Sequence, residues 1–157
     1  MKIFDNIKFV STDLDGTLTD GSISIDTNGI ETRTYCVYDG QRIKEAKSRG
    51  IVFACITSSA DPGIETRMKK IGFDYCVMNV KNKGPILCQL LKENKISKKN
   101  ALHIGDDIND IEAFNEVGVK IAVLGGAVKL LNLADYTTTR KGGRGTLREI
   151  LDILLDK

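Results

Sequence analysis

The sequence predicts an α/β fold, a three-layer Rossmann-like sandwich with a mostly parallel sheet and a small β-hairpin inserted after the first strand. Three observations predict it. Short β-branched runs alternate with amphipathic stretches along the chain, which is the pattern of βαβ units. The apolar spacing within those stretches fits helices that pack one face on a sheet. The chain has 157 residues, enough for one domain spanning 1–157 and too few for a separate substrate or cap domain.

The elements follow in order. Lys8 to Asp13 is an apolar run that ends in acids, and it reads as the first strand. Residues 21–37 break the alternation: Ser22-Ile23-Ser24-Ile25-Asp26 alternates polar and apolar, Thr27-Asn28-Gly29 signals a turn, and Ile30 to Tyr35 returns, which together make a hairpin. A two-stranded ribbon is marginal alone, so it needs a packing partner, and a neighbouring subunit is the expected one. Helix Gln41 to Ser48, strand Ile51 to Thr57, helix Pro62 to Ile71 and strand Tyr75 to Met78 come next. Helix Gly84 to Glu93, strand Ala101 to Ile104, helix Asp110 to Glu116 and strand Lys120 to Leu124 continue the alternation. Helix Val128 to Asn132, a short strand Tyr136 to Thr138 and helix Thr146 to Leu155 complete it. Counted along the chain without the hairpin, the strands are expected in the order 3-2-1-4-5-6, with the site at the carboxyl ends of strands 1 and 4.

Composition excludes several function classes. With 23 Lys+Arg against 21 Asp+Glu the net charge is +2, too small for the basic field that non-specific nucleic-acid binding needs. No run approaches the roughly 18 apolar residues of a membrane span, and Met1 to Asp5 holds no signal-peptide core, so a cytoplasmic protein is expected. Cys36, Cys55, Cys76 and Cys88 form neither CxxC nor CxxH pairs and read as reduced packing residues rather than zinc ligands or disulfides.

The chemistry gathers where strands end. In Phe9-Val10-Ser11-Thr12-Asp13-Leu14-Asp15-Gly16-Thr17 an apolar strand runs into two carboxylates spaced i, i+2, at the end of the sheet where open α/β folds bind ligands. Like charges this close need a shared proton or a cation. A second set, Gly105-Asp106-Asp107-Ile108-Asn109-Asp110, follows another strand. If the two strands are neighbours, their acids can meet around one Mg²⁺, a hard ion suited to oxygen ligands. Helix capping by Asp107 or Asp110 alone does not account for the doubled acids. Thr57, Ser58 and Ser59 close a third strand with hydroxyls able to hold phosphate oxygens, and Lys83 offers a point positive charge just before a helix. His103, inside a strand, reads as a core residue.

Taken in order, Asp13-x-Asp15-Gly-Thr, Thr57, Lys83 and Gly105-Asp106-Asp107-x-x-Asp110 resemble the four motifs of the haloacid dehalogenase superfamily. More narrowly, Asp15 to Gly21, the hairpin, Asp39-Gly40, Gly105-Asp106-Asp107 and Gly142-Gly143-Arg144-Gly145 resemble its capless subgroup. That subgroup holds phosphatases of 3-deoxy-D-manno-octulosonate 8-phosphate and of sialic-acid-type 9-phosphates, sugars of lipopolysaccharide and sialic acid biosynthesis. The resemblance implies a Mg²⁺-dependent sugar phosphatase in which Asp13 is the nucleophile and Asp15 the general acid and base. It also implies that Asp13, the Asp15 backbone carbonyl and Asp106 ligate the metal, that Thr57, Ser58 and Lys83 hold the phosphoryl group, and that Asp107 and Asp110 support them. It further implies a homotetramer built through the hairpin, with Arg144 reaching an adjacent subunit's site to contact an acidic sugar.

This chain departs from the subgroup in having Ser58 and Ser59 where Gly and Arg are usual, and Tyr38 where an Arg is frequent. Arg67, on the helix that follows, reads as a solvated helix-face residue. A noncatalytic assembly domain, like the appendage of some acylneuraminate cytidylyltransferases, is the alternative that the clustered acids argue against. A phosphorelay receiver domain would place a lone phosphoacceptor Asp on a later strand, and the order here is wrong for it.

Overall fold

The computed structural model describes residues 2–156. Its central strand is β1 (Phe9–Thr12), buried along its whole length. Such a strand must be flanked on both edges and covered on both faces, and it is: β1 pairs in parallel with β4 (Val52–Ile56) on one side and β6 (Ala101–Gly105) on the other. Beyond them lie β5 (Tyr75–Val77), β7 (Val119–Ala122) and β8 (Tyr136–Thr137), giving the order β5-β4-β1-β6-β7-β8. This is the predicted order, and all five pairings in the sheet are parallel.

Side chains alternate across the sheet and sort the helices into two layers. Val10, Phe53, Leu102, Ile104 and Ile121 face one way, against Ile43 of α1 (Ile43–Ser48), Ile64 and Met68 of α2 (Pro62–Ile71) and Leu147, Ile150, Leu151 and Leu154 of α6 (Thr146–Leu155). Phe9, Ala54, Ile56 and Ala101 face the other way, against Leu87, Leu90 and Leu91 of α3 (Lys83–Glu93) and Ala113 of α4 (Ile111–Phe114). Leu130 of the short α5 (Val128–Leu131) packs on Phe114 and Ala122. Each fully buried Leu, Ile or Phe side chain contributes about 1.5–3 kcal/mol relative to exposure.

Local signals set the ends. Asp61 caps α2 by accepting from Gly63 N–H at 2.9 Å, Pro62 fills the first turn, and Gly72 ends the helix at φ +98°. Asn82 caps α3 by accepting from Gly84 N–H at 3.1 Å, which places Lys83 at the first helical position. The expected helix Asp110 to Glu116 starts earlier and ends earlier: Ile108–Asp110 is a 3-10 turn, and Asp107 and Asp110 form a reciprocal capping box there. No side chain of its own caps α6; instead Asp39 accepts from Arg148 N–H at 3.0 Å.

The hairpin is narrower than its alternation implies. Its ladder, β2 (Ser24–Ile25) on β3 (Glu31–Thr32), has two rungs. The turn is organised by Asp26, whose carboxylate accepts from Asn28 N–H and Ile30 N–H, both at 2.8 Å, while Gly29 adopts φ +79°. That is a three-residue loop closed by a left-handed glycine rather than a two-residue Asn-Gly turn. The ribbon also packs on its own chain. Arg33 reaches inward to Asp15 and Asp61, and Arg67 of α2, half-buried rather than solvated, stacks 5.5 Å from the Tyr35 ring centre and donates to the Cys36 carbonyl. The ribbon's Ile23, Ile25 and Ile30 remain exposed.

Candidate active site

Three neighbouring strands deliver their next residues to one edge of the sheet. Asp13 follows β1, Thr57 follows β4 and Asp106 follows β6, so strand register alone brings the three motifs together. Gly16 makes the closest approach possible: it turns at φ +89°, and a Cβ there would strike the Asp106 carboxylate. Asp13, Asp106 and Asp110 each place a carboxylate oxygen within 4.8 Å of the others.

The charges are unbalanced. Lys83, 1% exposed, stands 2.8 Å from Asp13 Oδ1 and 2.6 Å from Asp110 Oδ1. One ammonium cannot neutralise two buried carboxylates and the Asp106 carboxylate beside them. Burial pushes Asp13 up to about 7, Asp110 adds repulsion, and Lys83 opposes both. Burial and the negative Asp110 likewise lift Asp106 to about 6, against a hydrogen bond from Thr17 Oγ1 at 3.1 Å. For Asp110 burial acts upward too, but it is overcome by His103 and Lys83, which hold this carboxyl down at about 2. Burial lowers Lys83, yet Asp13 and Asp110 outweigh it and raise its affinity for a proton.

These shifts and the donor types test the fit of a metal. Two acidic oxygens from Asp13 and Asp106, hard donors pushed toward protonation by their mutual environment, suit Mg²⁺. Asp110 is occupied otherwise. Its Oδ1 takes Lys83 and the His103 ring at 3.0 Å, and its Oδ2 accepts from Asp106 N–H at 3.0 Å and Asp107 N–H at 3.3 Å. It anchors the loop rather than offering a free ligand. Asp107 is exposed and caps Ile108 N–H at 2.7 Å. His103 is core, as read, and is also bonded: its other ring nitrogen lies 2.9 Å from Ser11 Oγ, its cross-strand partner.

A pH prediction follows from the raised pair. An unfolded chain gives up these two protons near the ordinary carboxylate value of 3.8, the folded one near 7 and 6, so the metal-free fold binds more protons in between. Its stability is therefore expected to fall as pH rises from about 4 to about 7, and the gain in Tm on adding Mg²⁺ to grow over the same range. Thermal melts in EDTA and in Mg²⁺ across that range check it; a Mg²⁺ increment that is flat with pH would contradict it.

The remaining predicted residues lie around this centre. Thr57 is buried and its hydroxyl accepts from Ser59 N–H at 3.1 Å, which curls the loop after β4 toward the site. Ser58 is exposed on that loop. Asp15 is held through one oxygen, its Oδ1 receiving Thr19 Oγ1 at 3.2 Å and Arg33 Nε at 2.9 Å. A cleft of about 670 Å³ opens beside it, lined among others by Ile30, Glu31, Ser58 and Ser59. A smaller one of about 340 Å³ lies across Gly16, between Asp106 and Arg144.

Arg144, expected to reach an adjacent subunit's site, is exposed and lines the smaller cleft with Gly16 and Asp106. Backbone contact sets the loop that carries it. Gly142 sits so close to the Gly16 and Thr19 carbonyls that no Cβ fits, and Gly143 N–H donates to Thr17 O at 3.1 Å, which docks the glycine loop on the turn after β1. Gly142→Ala is expected to cost about 1–3 kcal/mol by overpacking and to lower kcat with it, because the displaced carbonyl belongs to the turn carrying Asp15. Paired Tm and rate measurements check this; unchanged values in both would refute the docking.

Comparison with known proteins places this arrangement. Residues 77–150 match the haloacid dehalogenase-like hydrolase family. The chain is 34% identical over 151 residues to 3-deoxy-D-manno-octulosonate 8-phosphate phosphatase of Escherichia coli K12, covering 96% of this chain and 80% of that protein. The structure of the Moraxella catarrhalis phosphatase of that name, in complex with magnesium, phosphate and the sugar, superposes with a TM-score of 0.94 at 32% identity, covering 99% of this chain and 89% of that one. The cobalt-bound Haemophilus influenzae phosphatase gives a TM-score of 0.93 at 31% identity, covering 98% and 90%. With this identity along nearly its full length, the chain belongs to the haloacid dehalogenase-like hydrolases and, within them, to the phosphatase group of these relatives.

Proposed function

We propose that the chain is a Mg²⁺-dependent phosphomonoesterase acting on a phosphorylated 3-deoxy-2-ulosonic acid, with 3-deoxy-D-manno-octulosonate 8-phosphate first and a nonulosonate 9-phosphate such as N-acylneuraminate 9-phosphate next. The observation that carries it is the convergence of Asp13, Asp106 and Lys83 at the ends of adjacent strands. The relatives named for octulosonate phosphate hydrolysis support the substrate class.

In this reading Asp13 attacks phosphorus, a bond forms between its carboxylate oxygen and phosphorus, and the ester oxygen leaves with a proton from Asp15. Water then attacks the aspartyl-phosphate, gives its proton to Asp15, and inorganic phosphate departs. Lys83, Thr57 and the backbone N–H of Ser58 hold the transferring oxygens, where positioning and charge neutralisation supply most of the rate. Mg²⁺, held by Asp13, the Asp15 carbonyl and Asp106, supplies positive charge to the phosphoryl group. Asp107 and Asp110 support that loop, and Arg144 reaches an adjacent subunit's site to contact the acidic sugar. The exposed isoleucines of the hairpin fit a homotetramer interface, and the cytoplasm is the proposed compartment; among the described residues no helix is long and apolar enough to cross a membrane.

The test is phosphate release with Mg²⁺ from a panel containing octulosonate 8-phosphate, N-acetylneuraminate 9-phosphate and simple hexose phosphates. The expected result is release from one ulosonate phosphate at least tenfold faster than from hexose phosphates. Equal rates throughout would remove the ulosonate assignment, and no release from any would favour the assembly-domain reading.

A further inference from the structure

Arg33 belongs to none of the four motifs, yet its side chain is among the best enclosed around the site, 3% exposed. It rises from a ribbon whose neighbours Ile25 and Ile30 are 66% and 59% exposed, so its burial reflects an inward reach rather than a crowded element. Each arm of the guanidinium has its own partner. Nε donates to Asp15 Oδ1 at 2.9 Å, Nη1 to Asp61 Oδ2 at 2.8 Å, and Nη2 to Ser59 Oγ and Glu31 Oε2, both at 3.0 Å. Three segments are thereby joined: the turn after β1, the hairpin, and the loop from β4 into α2. A two-rung ladder is too small to hold the ribbon there unaided, and a planar, pre-organised fork suits the task as a flexible ammonium would not.

The geometry at Asp15 is specific. Arg33 Nε and Thr19 Oγ1, at 2.9 and 3.2 Å, both converge on Oδ1 and leave Oδ2 outside this pair of bonds. A carboxylate pinned through one oxygen has its second oxygen aimed. We propose that Arg33 is a positioning residue of the reaction: it fixes the rotamer of Asp15 so that Oδ2 exchanges the proton, and it couples that rotamer to the seating of the hairpin. This rests on the reading of Asp15 as acid and base.

The experiment uses p-nitrophenyl phosphate, whose nitrophenolate leaves as an anion when the bond from Asp13 to phosphorus forms and the ester bond breaks. That first step needs no proton donor. Hydrolysis of the aspartyl-phosphate still needs a base for the attacking water, so misplacing Asp15 slows the second step selectively. Full-length protein is mixed with substrate and Mg²⁺, acid-quenched during steady turnover, and its phosphorylated fraction read by intact mass. In Arg33→Met, turnover is expected to fall at least tenfold while the phosphorylated fraction rises above wild type. Arg33→Lys, which keeps the charge and one contact, is expected to recover part of the turnover. Unchanged turnover in Arg33→Met, or turnover and phosphorylated fraction falling together as for a merely structural residue, would overturn the proposal. Asp15→Asn separates the two readings: it must itself accumulate phosphoenzyme, and if it turns over like wild type the acid–base reading fails whatever Arg33 does.

Discussion

Lys83→Met is expected to lose phosphate release and about 3–5 kcal/mol of stability together, because it removes the cation between two buried carboxylates and leaves both uncompensated. In a protein of this size that is a fall of roughly 6–20 °C in Tm. The loss has a pH signature. Asp110, held at about 2 with Lys83 present, loses a counter-ion, so the deficit opens above that pH, and Asp13, already at about 7 with Lys83 present, adds to it as pH rises past 7. At pH 4 the deficit should be smaller than at neutral pH, because Asp13 then keeps its proton in the fold of both proteins, while Asp110 still misses its counter-ion. Melts of both proteins in EDTA at acidic and neutral pH decide it. An equal deficit at every pH would mean that lost packing around the lysine stem, not charge, holds this region together.

Asp13→Asn should separate chemistry from folding in the opposite sense. A carboxamide has neither the charge nor the basic oxygen to attack phosphorus, so kcat is expected to drop by at least about 10⁴-fold. Stability should move the other way in metal-free protein. Removing one of the two acids that share Lys83 leaves a one-to-one pair with Asp110 and deletes a carboxyl that the fold ionises reluctantly. A raised Tm in EDTA with abolished turnover is the expected pair of results. A lowered Tm would mean that Asp13 is held comfortably by Lys83 and that the crowding of charge argued here is wrong.

Much of this centre was legible in the sequence because its logic is linear. An apolar run followed at once by an acid fixes both the strand and the end of the sheet to which the acid belongs, and this sufficed to bring Asp13, Thr57 and Asp106 together. Hydrophobic periodicity likewise returned all six strands of the sheet and their order. What was missed depends on long-range partners. Arg33 looks like any polar residue of an alternating ribbon; its only trace in sequence is that Asp15, Glu31 and Asp61 together require a cation. Arg67 reads as solvated by its charge, although it lies three residues after Ile64 and four before Ile71, and the ring that covers it comes from the hairpin. Asp39 capping α6 spans 109 positions, beyond any local capping rule. Nothing local reveals that Gly142 and Gly143 dock on the turn after β1 either.

The central place of β1 has a consequence for how the protein is made. A chain emerging from a ribosome presents Asp13 and Asp15 well before β6, the strand that brings Asp106 and begins at Ala101, and the glycine loop that seats the turn comes later still. Until then β1 has one open edge and its acids face water singly, as weak and unselective as any surface carboxylate. The acidic cluster is thus a product of topological closure: Asp13 and Asp106 come together only once β6 has been made and has paired with β1.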